Sequence, residues 1–206
     1  TKGQYSPTSE LGKVTRSTPM GSLDRPFNPL ALALGSGATF VCRTIDRETK
    51  HMQAIIARSY SHKGTAFIEI YQNCNIFNDG AFAPMTDKES KADKVLWLEN
   101  GQPMLFGAKQ NKGIRLDGNK PIVVTIGKKW SVDDLLVHDE GDYVIASLLS
   151  NMTHQDDFPD PIGVLYAIDA PIYEDLMLAQ INKAVKQKGT GSVQDLLDAG
   201  DTWIVE

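Results

Sequence analysis

The pattern of apolar and polar positions changes three times along the chain. Residues 1–26 have no sustained apolar period and carry Gly3, Pro7, Gly12, Pro19, Gly21 and Pro26 among many serines and threonines, so they read as one long ordered loop. Loops of that length in compact domains are usually functional or disordered. From Asn28 the pattern becomes regular. Asn28-Pro29 has the form of an N-cap followed by proline at the first helical position, with Leu30, Leu32 and Leu34 next and Gly35 and Gly37 as the stop. Residues 38–43 are rich in β-branched and aromatic side chains and predict a strand. Asp46 is then expected to cap a helix of about four turns, in which Met52, Ile55, Ile56 and Tyr60 recur at helical spacing and His62-Lys63-Gly64 forms the end. Residues 65–71 predict a second strand. Strand, helix and strand on short links make a βαβ unit with parallel strands and a right-handed crossover. Ligands of such sheets bind beyond the carboxyl ends of the strands, where Gln72-Asn73-Cys74-Asn75 lies.

The third regime begins after the Gly/Asn/Asp loop at 77–84. Residues 86–100 are charged and predict a helix with Val95, Leu96 and Leu98 as its apolar side. Short runs at 103–106, 113–116 and 121–126, separated by Gly and Asn, suggest a small antiparallel region. Ser131 caps a short helix through Leu136, and 142–152 is another helix. Residues 162–168 are a buried-strand candidate, and 171–188 an amphipathic helix with Leu176, Leu178, Ile181 and Val185. Gly189-Thr190-Gly191 breaks it, and Ser192 caps a final short helix. The expected fold class is α/β: a parallel-sheet portion over 1–84, then a smaller α+β extension over 85–206.

Composition narrows the function classes. The 206 residues are 41% apolar and 23% charged, the balance of a soluble globular chain. No run approaches the roughly 18 apolar residues of a membrane helix, and the first 20 residues are polar with two prolines, unlike a secretory leader. Two cysteines, Cys42 and Cys74, cannot form a disulfide framework, which points to a reducing, cytoplasmic setting. The net charge of −5 hides a division. Residues 1–130 hold 18 basic and 11 acidic side chains, net +7; residues 131–206 hold 3 and 15, net −12. Solvated faces or pairing between the halves would explain this, and so would an acidic partner for the basic half. Nucleic acid fits poorly, because no basic run interleaves with aromatics and the pI is near 5.4.

Few residues carry recognisable chemistry. A free cysteine after a strand is ordinarily a small buried hydrophobe. Cys74, however, sits among Gln72, Asn73, Asn75 and Asn78, and a thiolate there could be a nucleophile or an iron ligand. A 4Fe–4S cluster needs about four cysteines, so any cluster would take its other ligands from elsewhere. Cys42 alternates with Phe40 and Thr44 in an apolar strand and reads as core. His51, His62, His138 and His154 show no metal spacing, and Gly35-Ser36-Gly37 precedes a strand, the reverse of a dinucleotide fingerprint. In the opening segment Gly3 permits close backbone approach, and Lys2 could pair a substrate carboxylate.

Those two segments also carry a family resemblance. T-K-G-Q-Y-S-P-T-S, then S-T-P-x-G-S, then E-I-Y-Q-N-C-N-I-F-N-D-G resemble the β subunit of thiamine-diphosphate-dependent 2-oxoacid:ferredoxin oxidoreductases, in particular the 2-oxoglutarate synthase type. The resemblance is specific through residue 80 and looser through G-I-R-L-D-G, L-L-V-H-D-E and P-I-G-V-L. It implies that residues 1–84 are the C-terminal part of a thiamine-diphosphate-binding domain. It implies thiamine diphosphate, Mg²⁺ and a 4Fe–4S cluster as cofactors. It implies a 2-oxoacid (2-oxoglutarate favoured) and coenzyme A as substrates, with an α subunit and ferredoxin as partners. By matching position, Thr1, Gly3 and Gln4 would close the thiamine-diphosphate loop, Lys2 would meet the substrate carboxylate, and Cys74 would be the last cluster ligand. The family's other cysteines and its Mg²⁺-holding G-D-G segment are absent from the sequence. The expectation is therefore a C-terminal portion of a longer subunit, inactive by itself. The alternative is a non-catalytic interaction subunit that keeps the fold and lacks the cofactor half.

Overall fold

The computed structural model describes residues 3–153, 155–203 and 205. The chain forms two compact units, residues 1–169 and 170–206.

In the first unit, helix α1 (Pro29–Gly35) starts as its sequence dictates: the Asn28 side chain accepts the Ala31 N–H, and proline occupies the first turn. Strand β1 (Phe40–Ile45) is buried at every position, and helix α2 (Thr49–Ser61) leads to strand β2 (Ala66–Tyr71). β1 and β2 pair parallel, Phe40 against Ala66 through Ile45 against Tyr71, as the βαβ reading requires. Asp46 does not cap α2, whose N-cap is Glu48 without a side-chain capping bond. Its carboxylate instead accepts the backbone N–H of Asn73 at 3.0 Å, tying the exit of β1 to the exit of β2. A preference for polar caps identified the residue type, but this non-local donor took the oxygen.

Residues 86–100 depart further from expectation. Helix α3 (Ala83–Thr86) and helix α4 (Lys91–Lys94) are single turns, and β3 (Val95–Trp97) is a strand. Val95 and Leu96 are buried, and they align with Asp160 and Pro161 of β7 (Asp160–Ala167). Pairing and burial outweigh the helical propensity of the charged flank. The sheet runs β2-β1-β7-β3, with β7 antiparallel to β1 and parallel to β3. Strands from both sides of Pro84 thus complete one mixed, α/β sheet.

The strands β4 (Leu105–Phe106), β5 (Lys112–Asp117) and β6 (Lys120–Thr125) form the expected antiparallel sheet. Ser131 and Asp134 close a capping box on a 3-10 turn, and Asp142 caps helix α5 (Tyr143–Ser150) through the Val144 and Ile145 N–H groups. Leu30 and Leu34 of α1, Val41 of β1, Leu149 of α5 and Leu165 of β7 share the main core cluster. That packing fixes the sheet ends from which the candidate site projects.

The second unit holds helix α6 (Tyr173–Lys188) and helix α7 (Val193–Leu197). Ser192 and Asp195 exchange hydrogen bonds of 3.0 and 3.1 Å, the capping box the sequence announces. Neither helix buries a residue.

Candidate functional site

The carboxyl ends of β1 and β2 support a closed loop over residues 73–80. Its root is the Asp46–Asn73 bond. The Asn73 side chain then holds the far end in both directions, donating to Asp79 at 2.8 Å and accepting the Gly80 N–H at 3.0 Å. Between them Cys74 and Asn78 form an isolated antiparallel bridge, with the Asn78 N–H on the Cys74 carbonyl at 2.9 Å. The chain therefore turns back at once over residues 75–77, and Cys74 is exposed at the base of that turn. Its pKa is lowered, chiefly by the backbone amide of Phe77 and then that of Ile76, with Asn78 adding less. Fixed amide dipoles aimed at sulfur favour the thiolate, the form that binds metals.

Cys42 is the opposite case. It is fully buried in β1, and desolvation pushes its thiol up to about 12 against a smaller opposing effect of Arg58. It is core, as its alternation predicted. The donor chemistry of Cys74 fits one corner of an iron–sulfur cluster. Among the described residues no group of three or more His, Cys, Asp or Glu side chains is placed to hold a metal, so a full cluster ligand set is not assembled there.

The opening loop is folded rather than open. The Tyr5 hydroxyl bonds Asp24, and the Phe27 N–H reaches the Pro7 carbonyl at 2.7 Å. Gly12 and Ser22 pair across the loop, and Gly21 is needed for that approach: its φ is +92° and a Cβ would lie 2.8 Å from the Gly12 carbonyl oxygen. Gly3 also has a positive φ, +83°, and packs close to the Arg16 side chain; Gln4 is exposed. Thr1 and Lys2, expected at the cofactor loop and the substrate carboxylate, lie outside the described residues.

One side chain joins the two segments the sequence singled out. Lys13 donates to the Asn78 side-chain oxygen at 2.8 Å and pairs with Glu10 at 2.9 Å. Sequence reading missed Lys13, because nothing in its neighbourhood distinguishes it from a solvated lysine. Beneath the loop lies a second residue the sequence did not flag. Arg43 is fully buried; its Nε donates to Glu69 at 2.7 Å, its Nη1 is 3.6 Å from Asp160, and its guanidinium lies 4.7 Å from the centre of the Tyr71 ring. Tyr71, three residues before Cys74, in turn stacks on Phe82 at 4.5 Å. Two open cavities of about 440 and 460 Å³ lie elsewhere, and neither is lined by residues 72–80.

This geometry places a thiolate-favouring loop at the carboxyl edge of an α/β sheet, and comparison with known proteins shows what the chain resembles. Residues 1–70 match the family described as thiamine pyrophosphate enzyme, C-terminal TPP binding domain. Over its whole length the chain is 40% identical to the 2-oxoglutarate oxidoreductase subunit KorB of Mycobacterium tuberculosis, of which it covers 56%. It is 46% identical over 79 residues, 38% of its length, to the 2-oxoacid:ferredoxin oxidoreductase subunit beta of Saccharolobus solfataricus, covering 26% of that protein. A solved 2-oxoglutarate:ferredoxin oxidoreductase from Magnetococcus marinus, with 2-oxoglutarate, coenzyme A and succinyl-CoA bound, shares the fold. That structure superposes with a TM-score of 0.63 at 24% identity, over 97% of this chain and 54% of the other. The chain is similar in sequence to β subunits of 2-oxoacid:ferredoxin oxidoreductases, and it spans about half the length of the relative it matches end to end.

Proposed function

We propose that this chain works as the β-subunit part of a 2-oxoacid:ferredoxin oxidoreductase, with 2-oxoglutarate as the preferred 2-oxoacid. The reaction joins decarboxylation to acyl transfer onto coenzyme A, and two electrons leave singly through a cluster to ferredoxin, or the same sequence runs in reverse. Thiamine diphosphate, when bound, supplies the carbanion that the decarboxylation needs; the protein supplies position and electrostatics. The observation that carries this reading is the Cys74 loop. An exposed cysteine has little reason to exist as packing, and the backbone amides of Phe77, Ile76 and Asn78 around Cys74 favour its thiolate. Those amides would hold the thiolate on iron and offset negative charge on a reduced cluster. Gly3 and Gln4 are assigned to the close of the thiamine-diphosphate loop, together with Thr1, and Lys2 to the substrate carboxylate. Mg²⁺ and the remaining cluster cysteines would come from residues outside this sequence. An α subunit and an acidic ferredoxin are the partners, in the cytoplasm. No helix among the described residues is long and apolar enough to cross a membrane.

The test is Cys74→Ser in the assembled enzyme. The expected outcome is loss of the cluster's iron and visible absorbance, together with loss of 2-oxoglutarate- and coenzyme A-dependent viologen reduction. A Ser variant that keeps its iron and its turnover would remove Cys74 from the cluster. An assembly with no turnover on any 2-oxoacid would instead favour a non-catalytic interaction subunit.

A further inference from the structure

The second unit presents a helix with an exposed apolar side. α6 is 16 residues long, and none of them is buried. Leu176, Met177, Leu178, Ile181 and Val185 are 37–58% exposed. A single helix of this length is marginal in water unless an apolar face is packed. Placed on a helical wheel, Tyr173, Met177, Leu178, Ile181, Ala184 and Val185 fall on one face. Glu174 and Lys188 lie on that same face at its two ends.

The face is symmetric about Ile181. Glu174 and Lys188 each stand seven residues from it, Met177 and Val185 four, Leu178 and Ala184 three. We propose that α6 is an interface between two copies of this chain, packed antiparallel about Ile181. Reversal about that residue sets Met177 against Val185 of the copy and Leu178 against its Ala184, so apolar meets apolar between the two charged ends. It also sets Glu174 opposite Lys188 of the copy, and this happens twice because a two-fold interface repeats every contact. A parallel pair would bring Glu174 to Glu174 and Lys188 to Lys188, which is repulsive at both ends. Charge therefore selects the antiparallel arrangement, and the helix dipoles, opposed in that arrangement, agree with it. The seven-residue spacing of positions 174, 181 and 188 is the spacing that keeps a seam facing a partner helix. A second copy meets all these conditions with one sequence. This inference concerns association and stands apart from the cofactor assignment.

The experiment is sedimentation equilibrium of the intact chain within its native assembly, comparing Glu174→Lys, Lys188→Glu and the double reversal. Each single reversal places two like-charged pairs in the interface and is expected to weaken self-association by about tenfold. The double reversal restores opposite pairs and is expected to return association to the parent level. In a variant carrying Ile181→Cys, mild oxidation is expected to give a disulfide joining position 181 of one copy to position 181 of the other, mapped by mass spectrometry. Circular dichroism confirms that each variant keeps its helix content. Three results would overturn the proposal: association unchanged by both single reversals, no rescue in the double, or no disulfide between the two 181 positions. Loss of a different subunit in place of self-association would assign the face to that subunit and also overturn it.

Discussion

Arg43 shows what a single buried charge commits a sheet to. Its guanidinium has no exposure, and it is neutralised by Glu69 on one neighbouring strand and Asp160 on the other, each side chain about 15% exposed. Its Nη2 has no hydrogen-bond partner among the described residues, so the arrangement is costly even when intact. Arg43→Ala leaves two carboxylates facing a cavity and is expected to lose about 3–5 kcal/mol in urea denaturation. Arg43→Met, which refills the volume, should lose less. His138 makes a second commitment at this scale. Burial lowers its pKa, against smaller upward effects from its bond to the Val164 carbonyl and from Glu140 and Asp139. His51 is shifted the same way, again by burial first. A histidine whose folded pKa is depressed binds its proton more readily unfolded, so its contribution is intact above about 6.5 and is lost as pH falls below that. Stability should therefore decline between pH 7 and 5, and His138→Gln should flatten that slope. An identical slope in the variant would place the acid sensitivity elsewhere.

At the scale of elements, the loop carrying Cys74 depends on a lysine far upstream. Lys13→Met removes the bond to Asn78 without a large change in volume. Amide hydrogen exchange across 74–80 is expected to quicken in that variant and to stay unchanged in β1 and α5. Gly21→Ala should loosen the same region from the other end, costing at least about 1 kcal/mol, because its backbone conformation excludes a side chain. These dependences explain what was legible in the sequence. β1, α2 and β2 were readable because their apolar periods are local and their stops are glycines and polar residues. Cys74 stood out in the sequence because it comes soon after a strand end among polar residues, and the structure finds it exposed in a pinned loop there. The Lys13–Asn78 bond was not, since the partners meet only after the sheet and both loops have formed. β3 was misread for the same reason: its three residues become a strand only by pairing with β7. Asp46 was read as a cap because cap preference is local, whereas its actual partner, Asn73, comes from the next strand's exit.

At the scale of the whole molecule, charge is the property that no single element explains. The net +7 of residues 1–130 includes the Cys74 loop, and the acidic residues of 131–206 outnumber the basic ones fivefold. Pairing between the two regions accounts for part of this: Arg58 of α2 holds Glu140, and Arg43 faces Asp160. Other basic residues of the first region meet acids of their own segment, as Lys91 does with Glu48 and Lys112 with Asp93. These pairs still leave the region carrying Cys74 positive, and with Cys74 on a cluster as proposed, a positive field there would raise the encounter rate of an acidic protein. Such steering is screened at roughly 10 Å in 0.1 M salt and within a few ångströms at 1 M. The assembled enzyme should therefore reduce ferredoxin several-fold more slowly, in kcat/KM, as ionic strength rises from about 0.05 to 0.5 M. A small viologen acceptor, less dependent on the protein's field, should be reduced at a rate that changes little over the same range. The comparison separates steering from salt effects on folding or on cofactor binding, because those would slow both acceptors together. Equal salt dependence for the two acceptors would leave the basic region as a solvated face with no part in bringing ferredoxin to Cys74.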